Sequence, residues 1–483
     1  MNSKSIIPFL FLAFLFAVSS TSCKKDKLLT SGGDLKFSAD TVKFDTVFTT
    51  MGSFTTQIKI YNPQNQKVNI SRIWLDGTDA AFFHLNVNGI GGNDASNIEL
   101  AAKDSMYVFA TVTVDPNKDP NNQNPFIIEA MMNTTMNGKS YKIPFRALGQ
   151  NAHYIYDDSV GGQTWGVADK LPYVVIYDAI VERGKTLTIA KGTRVYMHAS
   201  SLIYVDGTLN IQGTKKDSVI FQGDRLDRKY FGNEGYPGEW GGLYFSPHSS
   251  KSTIEYGIFK NCGGGVLQAG IYLTPDSVDD NDFQLRMGHS IVDNSIGYGI
   301  LGFRSSLYAQ NCRISNCGAQ TFATLEGGQY YLDNCTFACY GNKKITHSEN
   351  PVMALVNYRD IDDQYYTGGA LYAYLRNCII WGTLDNELFA KAKGKGAYDV
   401  TLQNCLIKRN DAMPEEVKNL VNCVFNQDPK FVNYNTGDYR VQGGSPAIDK
   451  GMVINATSLT PAVTDDLEGK SRGGSPDIGC FEY

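Results

Sequence analysis

Two short segments carry most of the side chains able to do chemistry. "TPDSVDDNDF" sets Asp276, Asp279, Asp280 and Asp282 close together, and "RDIDDQYYTGG" sets Asp360, Asp362 and Asp363 beside Tyr365 and Tyr366. Clustered carboxylate oxygens are the ligands a hard cation takes, so calcium is the one candidate cofactor. Neighbouring tyrosines offer flat amphipathic faces on which sugar rings can stack. Between the two segments stand Arg304 and Glu326, each at the end of a short apolar run. Arg304 can hold a carboxylate, such as a uronate, as a bidentate pair. The same residues also read as solvated acidic loops without a ligand. Which reading holds depends on what the fold brings together.

A repeat supplies the positioning elements. Asn261, Asn294, Asn311, Asn334, Asn377 and Asn404 each close an apolar run, and the next residue is Cys262, Ser295, Cys312, Cys335, Cys378 or Cys405. Without an insertion the interval is about 20 residues, a length at which short strands stack as a solenoid. Asn tolerates the left-handed backbone of a tight turn, and stacked Asn side chains can hydrogen-bond from coil to coil. The inward neighbour of such a turn sits in a cramped corner, which suits a small buried Cys. A disulfide framework is the competing reading for an exported chain. Of 10 Cys in all, Cys23 leaves an odd number behind it. No CxxC pair or Cys/His cluster has zinc-site spacing.

In this register the runs "AGIYL", "GILGF", "TFATL" and "VMALVNY" open successive coils. One acidic segment follows the first run and the other follows the last, so both leave the solenoid at the same point. Three coil steps would put about 14 Å between them, with Arg304 and Glu326 on the floor of the groove.

The remaining chain divides by texture. Residues 1–22 have a charged start at Lys4, a short apolar run from Ile6 to Val18 and small residues up to Cys23. That is the pattern of a signal peptide, too short for a stable membrane span. "SSTSC" resembles the lipobox of bacterial lipoproteins, although Ser20 stands where Leu is commonest. The resemblance implies acylation at Cys23, a polar tether over 23–33 and attachment to the outer membrane of a Gram-negative cell, facing the periplasm or the surface. Residues 34–150 alternate with period two in runs such as "TVKFDTVF", "SMYVFATVTV" and "YKIPFRAL", which predicts a β-sandwich. Their order resembles the immunoglobulin-like domains of surface lipoproteins. His84 and Trp74 are read there as packing residues. From 155 to 430, "GKTLTIAKGTRVYM", "SLIYVDGTLNIQG" and "EWGGLYF" resemble the opening coils of right-handed parallel β-helices of the pectate-lyase-like superfamily. The segment 431–483 resembles the closing cap of that family, with Ser445 to Gly451 and Pro476 to Glu482 as its motifs and Asp466, Arg472 and Asp477 as an ion-pair set. The fold class is therefore all-β: a sandwich, then a right-handed parallel β-helix with a C-terminal cap.

The net charge of −5, with 19% charged residues, leaves no basic field for nucleic acid. "KAKGKG" from Lys391 to Gly396 reads as a solvated loop. The R-x-P-x-x-R element of pectate-lyase-like proteins is missing. Of the polygalacturonase-like motifs only "GHS" at Gly288 to Ser290 has an echo. His248 and His289 are read as structural or surface residues. The expected function is a lipid-anchored surface protein, monomeric, whose β-helix binds a polysaccharide or other surface polymer. A polysaccharide lyase or glycoside hydrolase acting on uronic-acid glycans is the enzymatic alternative. A structural or adhesive protein without a small ligand is the third.

Overall fold

The computed structural model describes residues 27–115, 124–226, 235–276, 282–361, 364–367, 369–417 and 419–483. The chain separates into two compact units, 1–150 and 151–483. Cys23, Asp279, Asp280, Asp362 and Asp363 lie outside the described residues.

The first unit is a two-sheet β-sandwich with sheets of six and five strands. Every alternating run picked out in the sequence is a strand, among them Val42–Phe48, Ser105–Val112 and Lys139–Gln150. The inward residues of both sheets, such as Ile58, Ile60, Val108, Ile128 and Phe145, form one core. Asp94–Leu100 is a further strand, and its weakly alternating sequence, "DASNIEL", hides it. His84 is exposed, and Trp74 lies under the Arg72 guanidinium at 4.7 Å.

The second unit winds 26 strands into one parallel solenoid. Three strand rows run its length, here called sheets 1, 2 and 3. In one coil they are Gly257–Lys260, Ala269–Leu273 and Leu285–Gly288. Parallel strands joined by crossovers take the right hand almost without exception. Inward positions stack in register from coil to coil. On sheet 1, Val195, Phe221, Phe259, Val292, Ile314, Phe337, Ile380 and Ile407 form one row. On sheet 3 the row is Ile189, Ile211, Ile254, Met287, Ala309, Leu332, Leu375 and Leu402. These rows belong to one continuous core, and each Leu- or Phe-sized side chain in it contributes about 1.5–3 kcal/mol by leaving water.

The asparagines turn two corners rather than one. Asn311, Asn334, Asn377 and Asn404 stand between sheets 3 and 1, whereas Asn261, Asn294 and Asn316 stand between sheets 1 and 2. All have left-handed backbone, with φ between 50° and 62°. The sequence shows the Asn–Cys pair alike at both corners, so spacing alone merges them. Side-chain ladders form at each: Asn377 Nδ2 donates to Asn334 Oδ1 at 3.1 Å, and Asn294 Nδ2 to Asn261 Oδ1 at 2.5 Å. Among the described residues all nine cysteines are free. Their thiols donate to carbonyls, as Cys335 does to Asp333 O at 3.3 Å and Cys378 to Leu332 O at 3.3 Å.

The C-terminal segment covers the solenoid from the side. Phe431, Tyr439, Val441, Ala447, Ile478 and Phe481 pack on the outward residues Ala338, Ile379, Trp381 and Leu406 of sheet 1. It also ties down the Asn corner: Arg472 Nη2 donates to Asn311 Oδ1, and Asn377 bonds both ways with the Met452 backbone. Arg472 finds its carboxylate in Glu482, not in Asp466 or Asp477. Those two aspartates instead accept backbone N–H groups, of Glu468, Lys470 and Glu482 at Asp466 and of Asp449 and Tyr483 at Asp477.

Candidate functional site

The corner between sheets 2 and 3 has the uneven profile a groove needs. After Ala269–Leu273 the chain leaves the solenoid and returns at Leu285–Gly288; after Met353–Val356 it leaves again and returns at Leu371–Arg376. In the two coils between, Tyr298–Gln310 and Phe322–Asp333 run through the corner without a loop. Arg304 and Glu326 make those two tight corners, with φ of 45° and 55°. The register shifts between Phe303 and Ser305 on passing Arg304. A long Arg or Glu in left-handed backbone is held against its own preference. Arg304 and Glu326 thus turn the corners of the two coils that lie between the two longer connections.

Of the aspartates expected on the two walls, Asp276, Asp282 and Asp360 are among the described residues. Asp276 accepts the Ser306 hydroxyl at 2.5 Å, and Asp282 accepts Nε and Nη2 of Arg286. Among the described residues no group of three or more His, Cys, Asp or Glu can hold a metal ion. The opposite wall is an antiparallel hairpin of Tyr358–Ile361 and Gln364–Thr367. There Asp360 is exposed, as are Tyr365 and Tyr366 at 53% and 44%.

Arg359 on this hairpin is the residue sequence reasoning missed. Its Nε is 2.8 Å from Glu326 Oε1, and Arg304 Nε is 3.4 Å from Glu326 Oε2. The Glu326 carboxylate is only 6% exposed, against 40% and 47% for the two arginines. The Arg359 N–H does not point along its contact with Glu326, so this is an ion pair without a hydrogen bond. Arg359 and Arg304 both lie against the Phe303 ring, at 5.1 and 5.2 Å, and Arg359 also faces Tyr366 at 5.5 Å. Lys393, from the run read as a solvated loop, sits over the rings of Tyr358 and Tyr365. Tyr272 adjoins the cluster; burial pushes its phenol up and Glu326 adds to that, while Arg359 pulls the other way. Two arginines therefore flank one buried carboxylate, and Lys393 stands over the neighbouring tyrosine rings.

Beside the groove, the outer face of sheet 3 carries a tyrosine row. Tyr308, Tyr331 and Tyr374 are in register. The Tyr331 and Tyr374 rings are 4.8 Å apart, and Phe283 meets Tyr331 edge-on at 5.6 Å. A signal for this row was present, since each of these tyrosines precedes its corner Asn by the same step in "YAQN", "YLDN" and "YLRN".

The two histidines are structural. His248 Nδ1 lies 3.0 Å from Asp206 Oδ1, the same oxygen that accepts the Ser246 hydroxyl, so the ring does not stand between serine and carboxylate as a relay requires. His289 is stacked on Tyr256 and held between Glu255 and Asp465. Burial works against its charged form, but the two carboxylates outweigh burial and raise its pKa.

No protein-family model matches the chain, and no characterised protein matches it in sequence. Solved structures that resemble part of it include a family 123 glycoside hydrolase from Clostridium perfringens, at 10% identity and a TM-score of 0.17 over 24% of this chain and 26% of that one. Others are the periplasmic chaperone SfaE, at 10% identity and 0.17 over 24% and 58%, and a protein of unknown function from Porphyromonas gingivalis W83, at 10% identity and 0.17 over 27% and 61%. In each case the likeness spans about a quarter of this chain and under two thirds of the other.

Proposed function

We propose that the solenoid binds an extended anionic polysaccharide, with the groove at the corner between sheets 2 and 3 as its site. The observation that carries this reading is the pairing of Arg304 and Arg359 across Glu326, beside Lys393 and the exposed Tyr365 and Tyr366. A uronate carboxylate entering between the arginines meets two fork-shaped donors drawn together by the charge of Glu326. The sugar rings meet aromatic faces on the hairpin and along sheet 3. In this reading Cys23 is acylated and the chain is held at the outer membrane of a Gram-negative cell, its solenoid presented to a surface polymer.

A second reading, polysaccharide lyase, is favoured by Tyr272. Its phenol, kept protonated by burial and in electrostatic contact with Arg359 and Glu326, is the kind of group that gives a proton to a leaving glycosidic oxygen; a base for the sugar carbon beside the carboxylate is the further group a lyase needs. A glycan array probed with the soluble chain tests the proposal, and retention of neutral and uronate glycans alike would refute it. Ultraviolet absorbance of unsaturated uronate, followed in the same mixtures, separates lyase from binder.

A further inference from the structure

A second cleft, of about 570 Å³, runs between the outer side of sheet 1 and the C-terminal segment, away from the corner groove. Lys215, Arg313, Arg440, Asp438 and Glu468 are its charged walls, apart from His289. Lys215 is 3.2 Å from Glu468, and Arg440 is paired with Asp438 at 2.5 Å. Arg313 is different. It is 8% exposed, its Nη1 donates to Gly437 O, and its guanidinium faces the Tyr439 ring at 5.3 Å. Its Nε has no hydrogen-bond partner. Among the described residues no carboxylate stands in ion-pair contact with it. Asp438, already paired with Arg440, is the carboxylate that also feels Arg313, and three Lys or Arg against two carboxylates leave the cleft walls one positive charge in excess. The Ser218 and Thr436 hydroxyls also line it and can donate.

We propose that this cleft binds an oxyanion, a carboxylate, sulfate or phosphate group, at Arg313, with Lys215 at the mouth. An anion there faces the Arg313 guanidinium and balances the cleft. The site is independent of the corner groove and does not rest on it.

The test is isothermal titration calorimetry of the mature chain with sulfate and phosphate, with sodium chloride at matched ionic strength as the blank. One equivalent is expected to bind. Arg313→Gln weakens binding at least tenfold, and Lys215→Ala weakens it severalfold. No heat above chloride, or equal affinity in wild type and Arg313→Gln, overturns the proposal. Should Arg313→Gln not fold, unchanged affinity in Lys215→Ala, whose side chain is half exposed, overturns it instead. The source of the anion is separated in the Arg359→Ala chain, where the groove contributes little. An acidic oligosaccharide that binds more tightly than its monosaccharide assigns the site to a glycan; equal binding assigns it to the free ion. Both support an anion site.

Discussion

Replacing Arg359 by Ala is the sharpest test of the groove. Arg359 is 40% exposed and its contact with Glu326 is off line for a hydrogen bond. Its removal therefore costs the fold little, on the scale of about 0–1 kcal/mol for exposed pairs, and Glu326 keeps Arg304 at 3.4 Å. The ligand loses more. A hydrogen bond to a charged group contributes about 1.5–3 kcal/mol, and each 1.4 kcal/mol is about tenfold in affinity. Arg359→Ala is thus expected to weaken a uronate oligosaccharide roughly tenfold to a hundredfold, with an unchanged circular dichroism spectrum. Arg359→Lys keeps the charge but loses the fork, and should fall between the two. Raising the salt should shrink the difference, because these groups are open to solvent. Calorimetric titration with a uronate oligosaccharide, and with a neutral one of equal length, measures it. If Arg359→Ala binds within threefold of wild type, the arginines do not hold the ligand and the reasoning fails.

Three further outcomes bear on the scaffold. Asn377→Ala loses hydrogen bonds to Asn334 and to the Met452 backbone and forces a Cβ-bearing residue without an amide into φ 54°; together these should cost about 3 kcal/mol, with Asn377→Gly milder by about 1 kcal/mol, read from urea unfolding of the solenoid. His347 is buried with Nε2 at 3.0 Å from Glu387; burial disfavours its charge, but Cys339 and Glu387 outweigh it and hold its pKa up at about 9. A raised pKa stabilises the fold fully below the unfolded value near 6.5 and loses that effect as pH climbs through about 9, so about 3 kcal/mol should disappear over that window in wild type and not in His347→Gln. Native alkylation should label Cys423 first and slowly, since eight of the nine free thiols are buried and Cys405, together with burial, pushes the Cys423 thiol up; mass spectrometry showing a disulfide between any two of them would contradict the packing role.

Much of this fold could be read from the sequence because a solenoid repeats one local problem. Each tight corner needs a residue content in left-handed backbone and a small neighbour inside it, and Asn–Cys answers both. What the repeat hides is which corner a given Asn turns. Asn294 and Asn311 look alike in sequence, yet they stand on opposite sides of a sheet 1 strand, Arg313–Ser315 and its counterpart Ile291–Asp293. Where a coil lacks the Asn, as at Tyr256 and His289, the same left-handed turn is made by an aromatic residue. No periodicity announces that exchange, because packing against Glu255, Asp465 and a stacked neighbouring ring enforces the turn.

The site was legible in outline for the same reason, and its charge partners were not, for a different one. Loop length shows in sequence, so the two long connections and the short corners at Arg304 and Glu326 between them could be placed. Charge partners do not show. Asp276 and Asp282 are spent on Ser306 and Arg286, and neither partner is distinguished by spacing. Arg359 precedes Asp360 directly, and in a hairpin successive side chains point to opposite faces; the acid that drew attention is exposed while its neighbour turns onto Glu326 and Phe303. Acidic composition in the loop thus coexists with a cationic floor in the groove. A polymer that carries carboxylates meets the second and not the first, because Arg304 and Arg359 are the half-open cations beside the buried Glu326.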